Sequence, residues 1–257
     1  MKIGVLIKQV PGGDSPLRVS SDHSWIDETS VNFETNESDS YALEEGLQLR
    51  EKKGEGEVVV ISMGPDGRTQ KIIKEALSKG ANRCIHIVED NARKTDPLQT
   101  AIIFAKALKN ERFDLILSGL QSLDLGMGQT GVILGELLGM SIATLVMATE
   151  LTNESIRVKR ELESGWFQWV TLPLPACLSI QSGLNQPRYP SLKGIMGAKK
   201  KEIKPLSKSE LFDGNEHQSI TRVYSIQKAK QTEMISGDVN RQISRLVDVM
   251  KTEIKVL

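Results

Sequence analysis

Short apolar runs alternate with amphipathic segments along the first 140 residues of the chain. The runs are rich in β-branched residues and end at glycine, proline or polar positions, which is typical of strands buried on both faces. They lie at residues 2–7, 57–63, 83–88 and 113–119. Apolar residues at helical spacing predict helices between them, at residues 36–53, 70–79, 98–108 and 129–138. Such alternation requires right-handed crossovers and predicts an α/β fold, with helices on both faces of a mostly parallel sheet.

The pattern changes at about Ile142. Four strand-like runs follow with short polar or Gly/Pro punctuation, IATLVMATEL, SIRVKREL, WFQWVTL and ACLSIQS, and they predict a meander or an extension of the sheet. Beyond Lys204 the chain is polar and interrupted, with a possible strand at 220–226 and an amphipathic helix near 239–254. We therefore predict an α/β domain over residues 1–204 and a C-terminal arm over 205–257 that packs on another protein.

Charge and composition narrow the function classes. The chain carries 33 Lys and Arg against 33 Asp and Glu, and it has only 5 Phe and 3 Tyr, so it lacks the positive field and the stacking rings that nucleic acids require. No apolar run is long enough for a membrane helix or a signal peptide, which favours a cytoplasmic protein. Cys84 and Cys177 lie in strand-like runs and are interpreted as buried free thiols, with neither a disulfide nor a metal site.

A glycine-bearing loop over residues 119–131 carries the strongest local signal. It lies between a predicted strand and a predicted helix, where the free N–H groups of the helix start suit an anion. Residues 126–131 match G-x-G-x-x-G, but this motif does not follow its strand directly and comes late in the chain, so a Rossmann NAD site is rejected. A loop that wraps a phosphate and a loop whose glycines only shape a long turn are equally compatible with the pattern.

Catalytic signals are weak, and we expect no catalytic residues and no enzymatic activity of the chain's own. The three histidines, His23, His86 and His217, are scattered, and His86 is interpreted as a structural or surface residue. Neither a nucleophile elbow nor a Walker phosphate loop is present. Glu44 and Glu45, on a predicted helix, and the basic run at 198–201 are both interpreted as solvated surface.

A second irregular segment, residues 184–196, combines two prolines with apolar side chains. Apolar side chains on a rigid loop can anchor a partner protein. From the residues alone, we expect Tyr189 and Met196 to pack back onto the sheet, which leaves Leu192 and Ile195 to face a partner.

Several motifs, in this order, resemble the β-subunit family of electron-transfer flavoproteins over about residues 1–204. Each motif is weak alone, but their number and order make the resemblance specific. They are Lys8-Gln9-Val10-Pro11, Ala42-Leu43-Glu44-Glu45, Gly64-Pro65, Glu75-Ala76-Leu77-Ser78-Lys79-Gly80-Ala81, Gln121-Ser122-Leu123-Asp124, Gln129-Thr130-Gly131 and Leu184-Asn185-Gln186-Pro187-Arg188-Tyr189.

The resemblance implies a role in electron transport. In that family an α subunit holds most of the redox FAD, and the β subunit holds an AMP without a redox role. The heterodimer takes electrons from dehydrogenases such as acyl-CoA dehydrogenases and passes them to a quinone oxidoreductase. The C-terminal arm would then pack on the α subunit. The segment 184–196 would be the recognition loop that docks dehydrogenases, with Leu192 as its anchor beside Tyr189 and Ile195.

By the same resemblance, the AMP site lies at the ends of the first two strands, at the start of the first helix and along the glycine-bearing loop. The implied residues are Leu6, Asn36, Glu37, Ser38, Asp39, Met63, Gly119, Gln121, Ser122, Leu123, Asp124, Gly126, Met127, Gly128, Gln129 and Thr130. Family members commonly have Lys where this chain has Leu120, and Gly12-Gly13 replaces a position that faces the partner's flavin in some relatives.

Three alternatives stay open. A bifurcating branch of the family binds a second FAD in place of AMP, but it tends to show Gln-Val-Gly-Pro where this chain has Gln129-Thr130-Gly131, so AMP is favoured. An ATP-using enzyme of the same architecture would need acidic residues at the loop, and only Asp124 is available there. A stand-alone nucleotide sensor that resembles universal stress proteins would need neither a recognition loop nor an arm.

Overall fold

A computed structural model describes residues 1–92, 95–212, 214, 217–226, 232 and 234–256 of the chain. The chain divides into two compact units, Met1–Val223 and Tyr224–Leu257. The expected boundary after residue 204 falls inside the strand Ile203–Ser207, which pairs with Arg83–Val88 in the main sheet. The first unit therefore extends beyond the expected boundary, because this edge strand alternates too weakly in polarity to be recognised from its sequence.

The described strands and helices follow the predicted alternation. The strands are β1 (Lys2–Leu6), β2 (Gln9–Pro11), β3 (Phe33–Thr35), β4 (Glu57–Gly64), β5 (Arg83–Val88), β6 (Leu115–Gly119), β7 (Ser141–Leu151), β8 (Ser155–Glu161), β9 (Phe167–Pro173), β10 (Ala176–Ile180) and β11 (Ile203–Ser207). The α-helices are α1 (Glu37–Lys53), α2 (Asp66–Lys79), α3 (Pro97–Leu108), α4 (Thr130–Leu137), α5 (Leu192–Ala198), α6 (Lys208–Leu211) and α7 (Val239–Thr252).

The main sheet has nine strands within the described part of the chain, in the order β11-β5-β4-β1-β6-β10-β7-β8-β9. All neighbours from β11 to β7 pair in parallel, and β8 and β9 extend the sheet as an antiparallel meander. Strand β10 returns between β6 and β7, so the late strand-like runs form both a central strand and the extension. The α/β class with a mostly parallel sheet is confirmed.

Two hydrophobic cores lie on opposite faces of this sheet. Along β4, Val58 and Val60 face the core that contains Leu47 of α1 and Leu77 of α2. Val59 and Ile61 face the other core, under α3 and α4. Because the strand buries both faces, it requires an apolar residue at nearly every position. This requirement explains why the continuous run EVVVISM was recognisable as a strand.

Several local expectations were wrong. The predicted elements did not include the short ladder in which β2 pairs antiparallel with β3. Helix α2 begins at Asp66, four residues before the expected start at Gln70. Residues 220–226 form no strand. The C-terminal helix is confirmed as α7, and none of the described helices is long and apolar enough to cross a membrane.

Candidate functional site

A pocket opens at the carboxyl ends of β1, β4 and β6. Strand β1 lies between β4 and β6 in the sheet. From β1 the chain adds β4 and β5 on one side and then crosses to add β6 on the other, and ligands of open α/β sheets bind where the strand order reverses in this way. Leu6 ends β1, Met63 and Gly64 end β4, and Gly119 ends β6, and all four line the pocket. The pocket therefore lies where the fold itself favours a ligand site.

Most of the residues expected to bind AMP line this pocket. They are Leu6, Asn36, Asp39, Met63, Gly119, Gln121, Ser122, Asp124, Met127, Gly128, Gln129 and Thr130. Glu37, Ser38, Leu123 and Gly126 do not line it. Ser38 and Leu123 instead contribute to the hydrogen bonds that hold the loop 119–131, while the Glu37 side chain is exposed.

Asn36 fixes this loop rather than capping the helix. It occupies the N-cap position of α1, but its side chain makes no capping bond. Its Nδ2 donates to the carbonyl oxygen of Gln121 at 3.0 Å, and its Oδ1 accepts from the backbone N–H of Leu123 at 3.0 Å. Ser38 Oγ donates to the same Gln121 oxygen at 2.9 Å. The first turn of α1 thus determines where the loop backbone runs.

Asp39 ties the ends of two strands together. Its carboxylate accepts the backbone N–H of Lys8 at 2.7 Å, just after β1, and that of Gly119 at 3.0 Å, at the end of β6. Burial raises the pKa of Asp39 to about 6, although bonds from Lys8, Asn36 and Gly119 act to lower it. A Cβ on Gly119 would collide with Ser38 Oγ and with both the side chain and the backbone of Asp39, so only glycine permits this approach.

Two ion pairs line the pocket, and the sequence analysis identified neither. Lys8 Nζ lies 2.7 Å from Asp124 Oδ1 and 3.3 Å from Ser122 Oγ. Arg68 Nη1 lies 2.5 Å from Glu28 Oε2. The Arg68 guanidinium is also 3.9 Å from the centre of the Phe33 ring. Trp25, Glu28 and Phe33 come from the segment between β2 and α1, whose sequence gave no periodic signal.

The remaining features of the pocket fit an anionic, polar ligand. Gln129, the N-cap residue of α4, makes no side-chain cap bond, so the first N–H groups of this helix are available at the pocket. Gly128 has a φ of +63°, which allows the loop backbone to turn toward α4. Three residues that line the pocket, Thr69, Thr95 and Ser179, have buried hydroxyl oxygens for which the described part of the chain offers no hydrogen-bond partner. Buried polar groups normally find one, and a polar ligand would supply it.

The segment 184–196 exposes its apolar side chains. Tyr189 is 92% exposed, Leu192 83% and Met196 73%, so the expectation that Tyr189 and Met196 pack back onto the sheet is wrong. Ile195 is also exposed, and residues from Leu192 onward form α5, where Ser191 Oγ accepts the N–H of Gly194 at 3.0 Å. The segment therefore ends in a short capped helix and not in an irregular coil.

Helix α1 holds the base of this segment through three carboxylates, of which Glu44 and Glu45 are buried and Glu51 is exposed. The Arg188 guanidinium donates to Glu44 at 2.8 and 3.0 Å and to Glu51 at 2.6 and 2.9 Å. Asn185 Nδ2 donates to Glu45 at 3.1 Å, and Glu45 also accepts from Thr149. Glu44 and Glu45 are buried, so their interpretation as a solvated helix face is wrong.

The family model of the electron transfer flavoprotein domain matches residues 24–211. The chain is 32% identical to the electron transfer flavoprotein subunit beta of Methylophilus methylotrophus, over 97% of this chain and 98% of the relative. It is 30% identical to the subunit of the same name from Bacillus subtilis, over the full length of both, and 36% identical to that of Mycobacterium bovis, over 81% of this chain and 80% of the relative.

The chain belongs to the β-subunit family of electron transfer flavoproteins. The resemblance stated from the motifs is therefore confirmed, and with it the assignment to electron transport. The structure also shows why distant motifs of this electron transfer flavoprotein subunit occur together. Glu44 and Glu45 contact the motif that ends at Tyr189, and Lys8 contacts the motif that ends at Asp124.

The remaining candidate groups of this electron transfer flavoprotein subunit are structural. His86 is fully buried, its Nε2 lies 3.1 Å from the Gly64 carbonyl oxygen, and burial lowers its pKa. Cys84 and Cys177 are buried free thiols, as expected, and burial raises the pKa of each to about 12. Lys201 is not simply solvated, because its Nζ donates to the carbonyl oxygens of Leu77 and Ala81 at the end of α2.

Proposed function

We propose that this chain is the non-catalytic subunit of a heterodimer, in which it holds AMP and docks dehydrogenases while an α subunit carries most of the FAD. Electrons would pass from dehydrogenases such as acyl-CoA dehydrogenases through the α-subunit flavin to a quinone oxidoreductase. One observation carries this proposal: helix α1 supports both a concave pocket at the strand ends and, separately, a surface of exposed apolar side chains.

The residues present fit AMP. The first N–H groups of α4 and the backbone of the loop 119–131 would hold the phosphate, because a helix start offers unpaired donors and a partial positive charge. Thr69, Thr95 and Ser179 line the pocket, and a polar ligand would supply the hydrogen bonds that their hydroxyl groups lack. The AMP would be structural, since it would fill the pocket and join the ends of β1, β4 and β6.

The nucleotide is tested by denaturing the purified protein and separating the released compounds by chromatography. The proposal expects AMP in a near 1:1 ratio to this chain. FAD in this chain's own pocket, at two FAD per heterodimer, would place the protein in the bifurcating branch. Coexpression with a neighbouring α-subunit gene should give a yellow heterodimer, whereas a colourless homodimer would support the nucleotide sensor and ATP turnover would support the enzyme.

The docking role predicts a rate effect confined to the partner reaction. Leu192 is exposed on a segment whose base is fixed, so its insertion into a dehydrogenase pocket would cost little conformational entropy. Leu192→Ala should slow electron transfer from the dehydrogenase severalfold or more, an effect of roughly 1–3 kcal/mol for a hot-spot residue. Leu17→Ala is the matched control, since Leu17 is also exposed but lies elsewhere in the chain. Equal rates in both variants would exclude Leu192 as the anchor.

The C-terminal arm is proposed to pack on the α subunit. One face of α7 carries Val239, Ile243, Leu246 and Val247, all exposed at helical spacing. An amphipathic helix of this kind gains stability by burying its apolar face. Deletion of residues 230–257 should weaken heterodimer association while the α/β unit stays folded. Sedimentation would count against the arm if the truncated chain still formed the heterodimer with unchanged affinity.

A further inference from the structure

Both basic side chains of the described pocket lining are already paired with acidic side chains of the same lining. The basic residues among the described lining residues are Lys8 and Arg68, and the acidic ones are Glu28, Asp39 and Asp124. Lys8 pairs with Asp124 at 2.7 Å and Arg68 pairs with Glu28 at 2.5 Å. The described lining therefore carries no surplus of positive side-chain charge for an anionic ligand.

A single phosphate group can bind without such a surplus. The start of α4 and the backbone N–H groups of the loop 119–131 attract an anion through dipoles, and their effect falls off within one helical turn. A second phosphate would extend beyond these donors and add further negative charge near the acidic side chains of the lining. It would need a cation that is not committed elsewhere, and the Asp124 carboxylate would repel it.

We propose that the Lys8–Asp124 ion pair restricts the pocket to ligands with a single phosphate group. This inference rests on the proposed nucleotide-binding function. Lys8 is fixed at both ends, because its backbone N–H binds Asp39 and its Nζ binds Asp124 and Ser122. Asp124 is held in turn by the backbone N–H of Leu125 at 2.8 Å. These contacts hold the Lys8 ammonium group on Asp124, so it is not available to a longer phosphate chain.

The test compares AMP and ADP on the full-length chain, by competition against a fluorescent AMP analogue. Wild type should bind AMP at least tenfold more tightly than ADP. Asp124→Asn should reduce this preference to about threefold or less, because Lys8 becomes free to bind the second phosphate. Glu55→Gln is the charge-matched control, since Glu55 is an exposed acid just after α1 and does not line the pocket, and it should keep the wild-type preference.

A double variant separates the pair from a general charge effect. Lys8→Met should weaken AMP and ADP alike, because it leaves the Asp124 carboxylate unpaired. Lys8→Met combined with Asp124→Asn should regain AMP affinity but not the ADP affinity of Asp124→Asn alone. Thermal unfolding of each variant verifies that the chain is folded.

The outcomes distinguish the two levels of the proposal. If wild type binds AMP and ADP equally, or if Asp124→Asn leaves the preference unchanged, the ion pair is not the selector while the nucleotide function stands. If wild type binds neither nucleotide, the proposed nucleotide function fails, and the selector fails with it.

Discussion

Residues 119–131 follow β6 and residues 184–196 follow β10, so two irregular segments leave neighbouring strands of the parallel sheet. Both are attached to helix α1, the first through Asn36 and Ser38 and the second through Glu44 and Glu45. The first places backbone and buried polar atoms around a concave pocket, whereas the second leaves Tyr189 and Leu192 almost fully exposed. The comparison shows two designs: residues 119–131 depend on close backbone approach around a concavity, and residues 184–196 depend on a fixed base beneath exposed side chains.

The stability of the chain should be more sensitive to added side-chain volume in residues 119–131 than in residues 184–196. Gly119→Ala would place a methyl group against Asp39 and Ser38, including backbone that cannot rotate away. The expected loss of unfolding free energy is about 3 kcal/mol or more, with reduced nucleotide retention. Urea denaturation measures it. Gly67→Ala is the control, because a Cβ there meets nothing within 4 Å and alanine favours the helix, so a similar loss in that variant would contradict the steric explanation.

Protonation of Asp39, beside residues 119–131, and of Glu44, beneath residues 184–196, should change the stability of the chain in opposite directions. Burial raises the pKa of Asp39 from 3.8 to about 6, so its contribution to stability is full below pH 3.8 and is lost as pH rises through 6. The loss corresponds to about 3 kcal/mol. Burial acts to raise the pKa of Glu44, but the hydrogen bonds from Arg188 and Gln48 outweigh it and leave the pKa below 4.5. Its contribution is therefore present above pH 4.5 and is lost as pH falls.

Unfolding free energies of Asp39→Asn and Glu44→Gln, measured from pH 3 to pH 7, check these signs. Relative to wild type, Asp39→Asn should gain stability as pH rises between 4 and 6, and Glu44→Gln should gain stability as pH falls below 4.5. Parallel curves for wild type and both variants would show that neither carboxyl titrates differently in the folded chain.

The attachment of residues 184–196 to helix α1 should depend on one side chain, that of Arg188. Arg188→Met would leave the buried Glu44 carboxylate without its guanidinium, and we expect a loss of about 2 kcal/mol, since Arg188 itself is partly exposed. Arg157→Met removes an exposed ion pair with Glu150 and should cost about 1 kcal/mol at most. Thermal unfolding compares the two. If Arg188→Met lost no more stability than Arg157→Met, the attachment of residues 184–196 to α1 would not depend on the Arg188 guanidinium.

Substitution of the exposed side chains in residues 184–196 should have the smallest effect on stability. Tyr189→Ser and Leu192→Ala remove groups that contact solvent, so the unfolding free energy should change by less than about 0.5 kcal/mol. Calorimetry of the isolated chain measures this directly. A loss of about 2 kcal/mol in either variant would show that the side chain packs in solution and is not available to a partner.

The sheet and the pocket loop were predictable because their signals are local. A strand buried on both faces must be apolar throughout, and a glycine-bearing loop between strand and helix is visible in a short window. The ion pairs were not predictable in this way. Arg188 lies 144 residues from Glu44, and Lys8 lies 116 residues from Asp124. Single charged residues carry no sign of partners at such separation, so Glu44 and Glu45 were assigned to a solvated face.

Helix α1 has a consequence for the genetics of the protein. Glu44 follows Asn36 by eight residues, which is about 12 Å along the axis at about 1.5 Å per residue, and the helix is rigid over that length. Random variants scored once for nucleotide retention and once for electron-transfer rate should therefore share hits on α1, even where the altered side chain touches neither segment. Variants at exposed side chains of β9, such as Phe167 and Trp169, should not be shared, since neither side chain lines the pocket or belongs to the segment 184–196.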